Sequence, residues 1–316
     1  MLPVSLEALR GDGPVRLVLG TMNFGKRTPE KEARAIIARA MERGIGCFDT
    51  ANMYSDGDSE RILGRAIRDV RSEVRIATKV GAQKREGLAP KRILAAIDES
   101  LERLAVDYVD VFYLHVPDAK TPIDETLGAM KDVLASGKAR AWGVSNYAAW
   151  QVLEMCGTAD RLGMPRPSMA QQLMNLVHRE LEIEYLAFRR AYPIHLTIYN
   201  PLAGGLLTHR HAEAFESGSR LKDNPLYARR YATDAMRARV AGLKRIAERE
   251  GRPLVELAYA YLAAKTEIDS ILVGPGSTAH LDAAIEAITK PLSKDLAHEL
   301  DRLEVAWTGT DTHYTR

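Results

Sequence analysis

Short apolar runs alternate with longer segments of helical period from one end of the chain to the other. The runs at 16–19, 46–49, 75–79, 109–115, 141–144, 168–171, 195–199 and 270–273 have the length and apolar density of interior strands, which lose strict alternation because both faces are covered. Between them lie helical patterns such as PEKEARAIIARAMERG, in which Pro29 suits a first helical turn and Gly44 a helix stop. Eight strands, each followed by a helix, predict an α/β fold, a closed (β/α)8 TIM barrel forming a single domain over residues 1–316; a doubly wound sheet is the main competitor. No linker, composition break or low-complexity tract divides the chain. One stretch breaks the rhythm. Residues 208–235, THRHAEAFESGSRLKDNPLYARRYATDA, read as a long basic loop after the seventh strand, a lid or binding loop, or else mobile.

Composition removes several function classes. At 46% hydrophobic the 316-residue chain can build a sizeable core, and 44 basic against 42 acidic residues leave a formal charge of only +2. No bulk field recruits nucleic acid or a membrane surface, so any anion must be bound locally. Cys47 and Cys156, in a predicted strand and a predicted helix, point away from a disulfide framework and toward a reducing compartment. The first residues carry no basic-then-apolar leader, and no apolar run reaches membrane-spanning length. A cytoplasmic protein is expected, working as a monomer or homodimer with no nucleic-acid or membrane partner.

Chemistry gathers at the predicted carboxyl ends of the strands, the edge where α/β folds bind ligands. In GIGCFDTANMYSDGDSE, Asp49 ends the second strand and Tyr54 follows in its loop; Lys79 ends the third in RIATKV, and His115 the fourth in VFYLHVPD. Singly, each has a structural reading: an ion pair for Asp49 and Lys79, a loop aromatic for Tyr54, a satisfied core histidine for His115. Jointly they are what proton delivery to a carbonyl oxygen needs. A tyrosine hydroxyl, with a pKa of about 10, is too weak an acid near neutrality. A lysine ammonium beside it favours the phenolate, an aspartate fixes that ammonium, and a histidine can orient the carbonyl by hydrogen bonding. Hydride addition to an aldehyde or ketone is the reaction such an acid serves.

The motifs FDTANMYSDGDSE, ATKV, VFYLHVPD, WGVSNY and YNPLAGGLLT resemble, in order, the successive signatures of the aldo-keto reductases, and the likeness runs from LVLGTMNFG to ILVGPGST, essentially the whole chain. MYSDGDSE, LHVPDAKTPIDETL and the ending Tyr314-Thr315-Arg316 resemble most the aflatoxin-aldehyde and succinic-semialdehyde reductase branch. The resemblance implies a catalytic tetrad of Asp49, Tyr54, Lys79 and His115 and an NADPH cofactor, with NADH an alternative, held without a GxGxxG unit. It implies that Ser145, Asn146 and Gln171 bind the carboxamide, that Met174 stands where an aromatic stacks on the nicotinamide, and that Tyr199, Asn200, Leu202, Gly204 and Arg210 after the seventh strand, with Gly274, Gly276 and Ser277 after the eighth, hold the rest of the dinucleotide. A glycine-rich turn and a helix N-terminus suit phosphate.

The final helix lacks the basic residues that would read a 2′-phosphate, so Arg220, with Lys222, Arg229 and Arg230 of the basic loop, are candidates in their place. A small carbonyl substrate is expected against Met22, Asn23, Phe24, Met53, Pro117 and Tyr147; Arg179 or Arg316 are the candidates for a substrate carboxylate. Two rivals remain. A redox-inactive cofactor-binding regulatory subunit shares the fold. Tyr261 and Lys265 match the YxxxK spacing of short-chain dehydrogenases, but with no glycine fingerprint upstream the spacing reads as chance. No CxxC or HExxH supports a metal site, and His209 and His211 are expected to face solvent.

Overall fold

A computed structural model describes residues 16–83, 86–208 and 225–308. Its parallel strands run β1 Arg16–Gly20, β2 Cys47–Asp49, β3 Arg75–Val80, β4 Val109–Leu114, β5 Ala139–Ser145, β6 Met169–Leu173, β7 His195–Tyr199 and β8 Ser270–Val273. They close into a barrel in sequence order, β8 returning to β1 in the register Arg16↔Ser270 to Leu19↔Val273. An open doubly wound sheet would leave two edges, so this closure decides between the two expected architectures in favour of the (β/α)8 barrel.

Helices α1 Glu30–Glu42, α2 Asp58–Ile67, α3 Pro90–Leu104, α4 Ile123–Ala135, α5 Ala149–Arg161 and α6 Tyr185–Ala191 cover the strands in turn. The third shows why. Pro90 opens it with no backbone N–H lost to the ladder, Ile93, Ala96, Ile97, Ser100, Leu101 and Leu104 form one buried stripe, and Ala105 ends it in the left-handed region at φ 53°. After β7 the chain builds α7 Pro225–Tyr231, α8 Asp234–Arg249 and α9 Leu254–Ala263 before β8, then α10 Thr278–Ile288 and α11 Lys294–Thr308. Residues 225–231 are therefore helical where a loop was expected; Arg210, Arg220, Lys222, His209, His211 and the tail 309–316 with Arg316 lie outside the described residues. Most strand limits also shift by a residue or two: His115, for one, lies one residue beyond β4, and Ser168 just before β6. Among the described residues no helix is long and apolar enough to cross a membrane.

Most buried apolar side chains form one continuous core, and among the described residues a second, small apolar cluster of Val111, Tyr113 and Met169, with Ala77 against it, stands apart from it. Helix packing around the sheet is close. A Cβ on Gly64 of α2 would stand 2.2 Å from the backbone oxygen of Leu104 at the end of α3. Backbone cannot yield as a side chain can, and overpacking costs ~1–3 kcal/mol. Gly64→Ala is therefore expected to lower unfolding stability by at least that order in urea titration; a change under ~0.5 kcal/mol would contradict this packing.

Candidate active site

Barrel closure sets Asp49 and Lys79 beside each other at the carboxyl ends of β2 and β3. Both are fully buried, and the lysine Nζ hydrogen-bonds Asp49 Oδ1 and, at 2.7 Å, the carbonyl of Thr50. Burial pushes the Lys79 ammonium toward its neutral form, and the Asp49 carboxylate opposes that. The other carboxylate oxygen accepts 2.8 Å from Gln171 Nε2 on β6. Asp49 is thus held from two sides.

Tyr54 opens a short turn after β2 and is half-buried. The residues behind it, Ser55, Asp56 and Gly57, take φ of 50°, 52° and 91°, so three successive left-handed residues fold the chain back before α2 begins. That strained turn is pinned. Ser55 Oγ donates to the Phe24 carbonyl at 2.7 Å, and Ser59 Oγ donates to the Thr21 carbonyl at 2.9 Å and lies 3.0 Å from Thr50 Oγ1. The fully buried Glu60 accepts from Thr78 Oγ1 at 2.6 Å and pairs with Arg103. The result sets the Tyr54 ring with its centroid 5.2 Å from Lys79 Nζ and, edge-on, 6.0 Å from the His115 ring. Burial and the neighbouring Lys79 push His115 down to about 3, so the imidazole is neutral across the physiological range, with its Nδ1 buried and unpartnered.

A second set continues this rim. Asn146, after β5 at φ 66°, donates from Nδ2 to the His115 carbonyl at 2.9 Å and to Ser145 Oγ at 3.1 Å, while its Oδ1 accepts from Tyr199 Oη at the end of β7 at 2.6 Å. Asn200, also left-handed at φ 63°, accepts from Gly204 N at 2.7 Å and donates to Tyr231 Oη at 2.7 Å. It folds the PLAGG turn against α7. Gly274 and Gly276 are exposed after β8, where Ser277 caps α10 by accepting from His280 N at 3.3 Å.

The Aldo/keto reductase family model matches residues 16–305. The chain belongs to that family. A relative from Arabidopsis thaliana, described as a probable voltage-gated potassium channel subunit beta, is 36% identical over 84% of this chain and 85% of its own. Aflatoxin B1 aldehyde reductase member 2 of Mus musculus is 41% identical over 61% of this chain and 54% of its own, and aldo-keto reductase family 7 member A3 of Homo sapiens is 38% identical over 64% and 62%. The resemblance read from the motifs is therefore real, including its branch.

Within this aldo/keto reductase several expected residues sit otherwise than the motifs implied. Met174 is fully buried in the main core, so it offers no surface to a ring; besides Tyr54, Tyr199 is a half-buried aromatic at this rim. Gln171 turns its amide nitrogen to Asp49. Phe24 has no exposed surface, and Tyr147 is buried with its hydroxyl on the Val116 carbonyl at 3.1 Å, which leaves Met22, Met53 and Pro117 as the exposed members of the expected substrate wall and Asn23 at its edge. Arg179 is buried too: it donates to the Leu300 carbonyl at 2.6 Å and pairs with Glu182, so it cannot receive a substrate carboxylate. Tyr261 and Lys265 belong to this same ionic cluster, bonding Glu182 and Asp301, a structural role that disposes of the YxxxK reading. Among the described residues no group of acidic, histidine or cysteine side chains is arranged to hold a metal.

The hydrogen bonds that orient the tetrad, from Gln171, Ser55, Ser59 and Glu60, went unassigned in the sequence, although SDGDSE already contained three of those four residues.

A titration follows from His115. Its folded value of about 3 lies below the unfolded one of about 6.5, so the unfolded chain binds the extra proton between those limits, and the stability associated with a neutral His115 is complete above pH ~6.5 and lost as pH falls toward 3. His178, pushed to about 4, acts in the same direction and stays in place as the background. Urea unfolding at pH 7.5 and 5.0 is expected to show a smaller acid loss in His115→Gln than in the native chain. Equal losses would contradict a neutral His115.

Proposed function

We propose that this protein reduces small aldehydes or ketones to alcohols with a nicotinamide dinucleotide, NADPH in preference to NADH. The observation that carries the reading is the buried Lys79–Asp49 pair beneath the Tyr54 ring. A cation at that place favours the phenolate over the phenol, which makes Tyr54 a stronger acid, and a neutral His115 beside it is a hydrogen-bond donor that adds no competing charge. Tyr54 is then the proton donor to the carbonyl oxygen, Lys79 its electrostatic partner, Asp49 the residue that holds Lys79, and His115 the group that orients the carbonyl. The reduced nicotinamide supplies the hydride when bound.

The residues at the rim fit such a cofactor. Asn146 and Tyr199 are joined to His115 by hydrogen bonds, Gly204 and Gly205 take positive φ in the turn after β7, and α10 begins at Ser277 beside exposed glycines. Ser145 and Asn146 would hold the carboxamide and Tyr199, rather than Met174, would cover the ring. Arg230 on α7 is near enough to Tyr199 for its charge to favour the phenolate, and so this described part of the basic segment stands at the rim, with a reach to the dinucleotide. The exposed Met22, Met53 and Pro117 suit a substrate with an apolar portion. With Arg179 committed elsewhere, a neutral aldehyde is the preferred class.

A second reading has one observation in its favour, the similarity to a probable potassium channel subunit beta. On that reading the chain binds the cofactor as a regulatory subunit without turnover. The intact tetrad favours the enzyme, and loss of NADPH absorbance with a panel of aldehydes separates the two: no oxidation above background with any aldehyde would favour the subunit.

Tyr54→Phe removes only the acidic hydroxyl. General acid catalysis is worth ~10²–10⁴-fold, so kcat is expected to fall by that order with cofactor affinity kept, whereas Tyr261→Phe keeps the chemical step. Near-native turnover by Tyr54→Phe would refute the assignment. Arg230→Ala is expected to weaken NADPH about tenfold, the loss of one charge-assisted hydrogen bond of roughly 1.5–3 kcal/mol partly screened by solvent, measured by fluorescence titration. Unchanged affinity would remove Arg230 from the cofactor site.

A further inference from the structure

At one level of the barrel, four neighbouring strands carry four unlike residues. The register sets Lys79 of β3 beside Tyr113 of β4, Tyr113 beside Gly143 of β5, and Gly143 beside Met169 of β6. Residues in register share one face of a sheet. The glycine in this row has a physical reason. A Cβ at position 143 would stand 2.7 Å from Cε1 and 2.9 Å from Cδ1 of the Tyr113 ring, and 2.7 Å from the Met169 carbonyl oxygen. A strand glycine of this kind marks a close approach, here that of the ring leaning across β5. At the end of its reach the Tyr113 hydroxyl hydrogen-bonds Met169 Sδ at 3.6 Å. A thioether is a weak acceptor, so the hydroxyl alone does not explain a fully buried tyrosine at this place.

The other contact of the ring does. The Lys79 ammonium lies 5.8 Å from the centre of the Tyr113 ring, as it lies 5.2 Å from that of Tyr54. Both distances fall within the ~6 Å over which the face of an aromatic ring attracts a cation, an attraction that grows once water is excluded. An ammonium has three N–H donors. Two are taken by Asp49 and the Thr50 carbonyl, and among the described residues no third acceptor hydrogen-bonds Lys79. The two aromatic rings are what remains to replace water around the charge. Tyr113 meets it as a neutral phenol, since burial and then the Asp49 carboxylate hold its hydroxyl well above the usual tyrosine range.

We propose that Tyr113 is a positioning residue for the reaction: its ring holds the Lys79 ammonium in place and in its charged form, and Gly143 is the residue that makes room for that ring. The inference deepens the reductase reading and rests on it, because the charge matters to turnover only through the acidity it gives Tyr54. Tyr113 itself passes no proton. Its hydroxyl is spent on Met169, and its part is electrostatic, exerted through the ring on a lysine that burial alone would neutralise.

Lysine ¹³Cε NMR reads the charge itself, with the Lys79 resonance assigned by its loss in Lys79→Met. Removing the ring in Tyr113→Leu is expected to bring the deprotonation of Lys79 about half to one pH unit lower, while Tyr113→Phe, which keeps the ring, titrates with the native protein. Pentafluorophenylalanine at the same position keeps a ring of similar shape with an electropositive face, and is expected to move Lys79 in the same direction as leucine. It carries the test should the smaller side chain prevent folding. In both of these proteins kcat for aldehyde reduction is expected to match the native value in acid and to fall away about half to one pH unit earlier on the alkaline side. A Lys79 that titrates as in the native protein in both, a Tyr113→Phe shifted as far as Tyr113→Leu, or a kcat deficit equal at every pH would each overturn the assignment. A native protein that reduces no aldehyde would defeat the reductase reading, and the lysine titration would still decide whether the ring holds the charge.

Discussion

Everything at the rim of this barrel depends on a lysine and an aspartate taken out of water together. Removing either charge from solvent alone costs several kcal/mol, and their attraction offsets this only when the remaining hydrogen-bonding capacity is also met. Here it is met by the Thr50 carbonyl for Lys79 and by Gln171 for Asp49, so strands β2, β3 and β6 each contribute one fixed element. The pair could not form on an open sheet with β6 elsewhere. Closure of the barrel is therefore part of the electrostatics, beyond being a scaffold for it.

Around that pair, neighbours are pushed to different charge states by place alone. His115 is deprived of its proton by burial and by the Lys79 cation, the same cation that stands 5.2 Å from the centre of the Tyr54 ring. Position is supplied by backbone strain. A run of left-handed residues after Tyr54 costs of order 1–3 kcal/mol at each non-glycine, and persists because Ser55, Ser59 and Glu60 tie it to β1 and β3. The turn that looked like a polar outlier in the chain is a mount for one phenol.

The strand count and the gathering of Asp49, Tyr54, Lys79 and His115 at one rim were legible because each depends on a local signal: a buried apolar run, and a polar residue at or just after the end of that run. What the pattern did not carry was partnership. Gln171 and Asp49 are 122 residues apart, and nothing near either predicts that the amide turns to the carboxylate. Arg179 looked like a free cation near the rim, but its counter-charges lie on a segment after β6 and on the last helix, so only the folded chain shows it as occupied. Met174 was misread for a related reason: its position after β6 matches the motif, while its burial is decided by packing against elements far away in sequence. The helix at 225–231 was hidden by the charges and the Gly-containing stretch before it, which gave the whole insertion the composition of a loop.

The central claim is that the buried ammonium makes Tyr54 acidic. It is tested most directly by ¹³C NMR of the protein labelled at tyrosine Cζ, titrated in the presence and absence of that charge, with the Tyr54 resonance assigned by its disappearance in Tyr54→Phe. The account predicts that Tyr54 ionises at lower pH in the native chain than in Lys79→Met, while the buried Tyr113 and Tyr259 remain protonated in both. A Tyr54 that titrates at the same pH with and without Lys79 would contradict it.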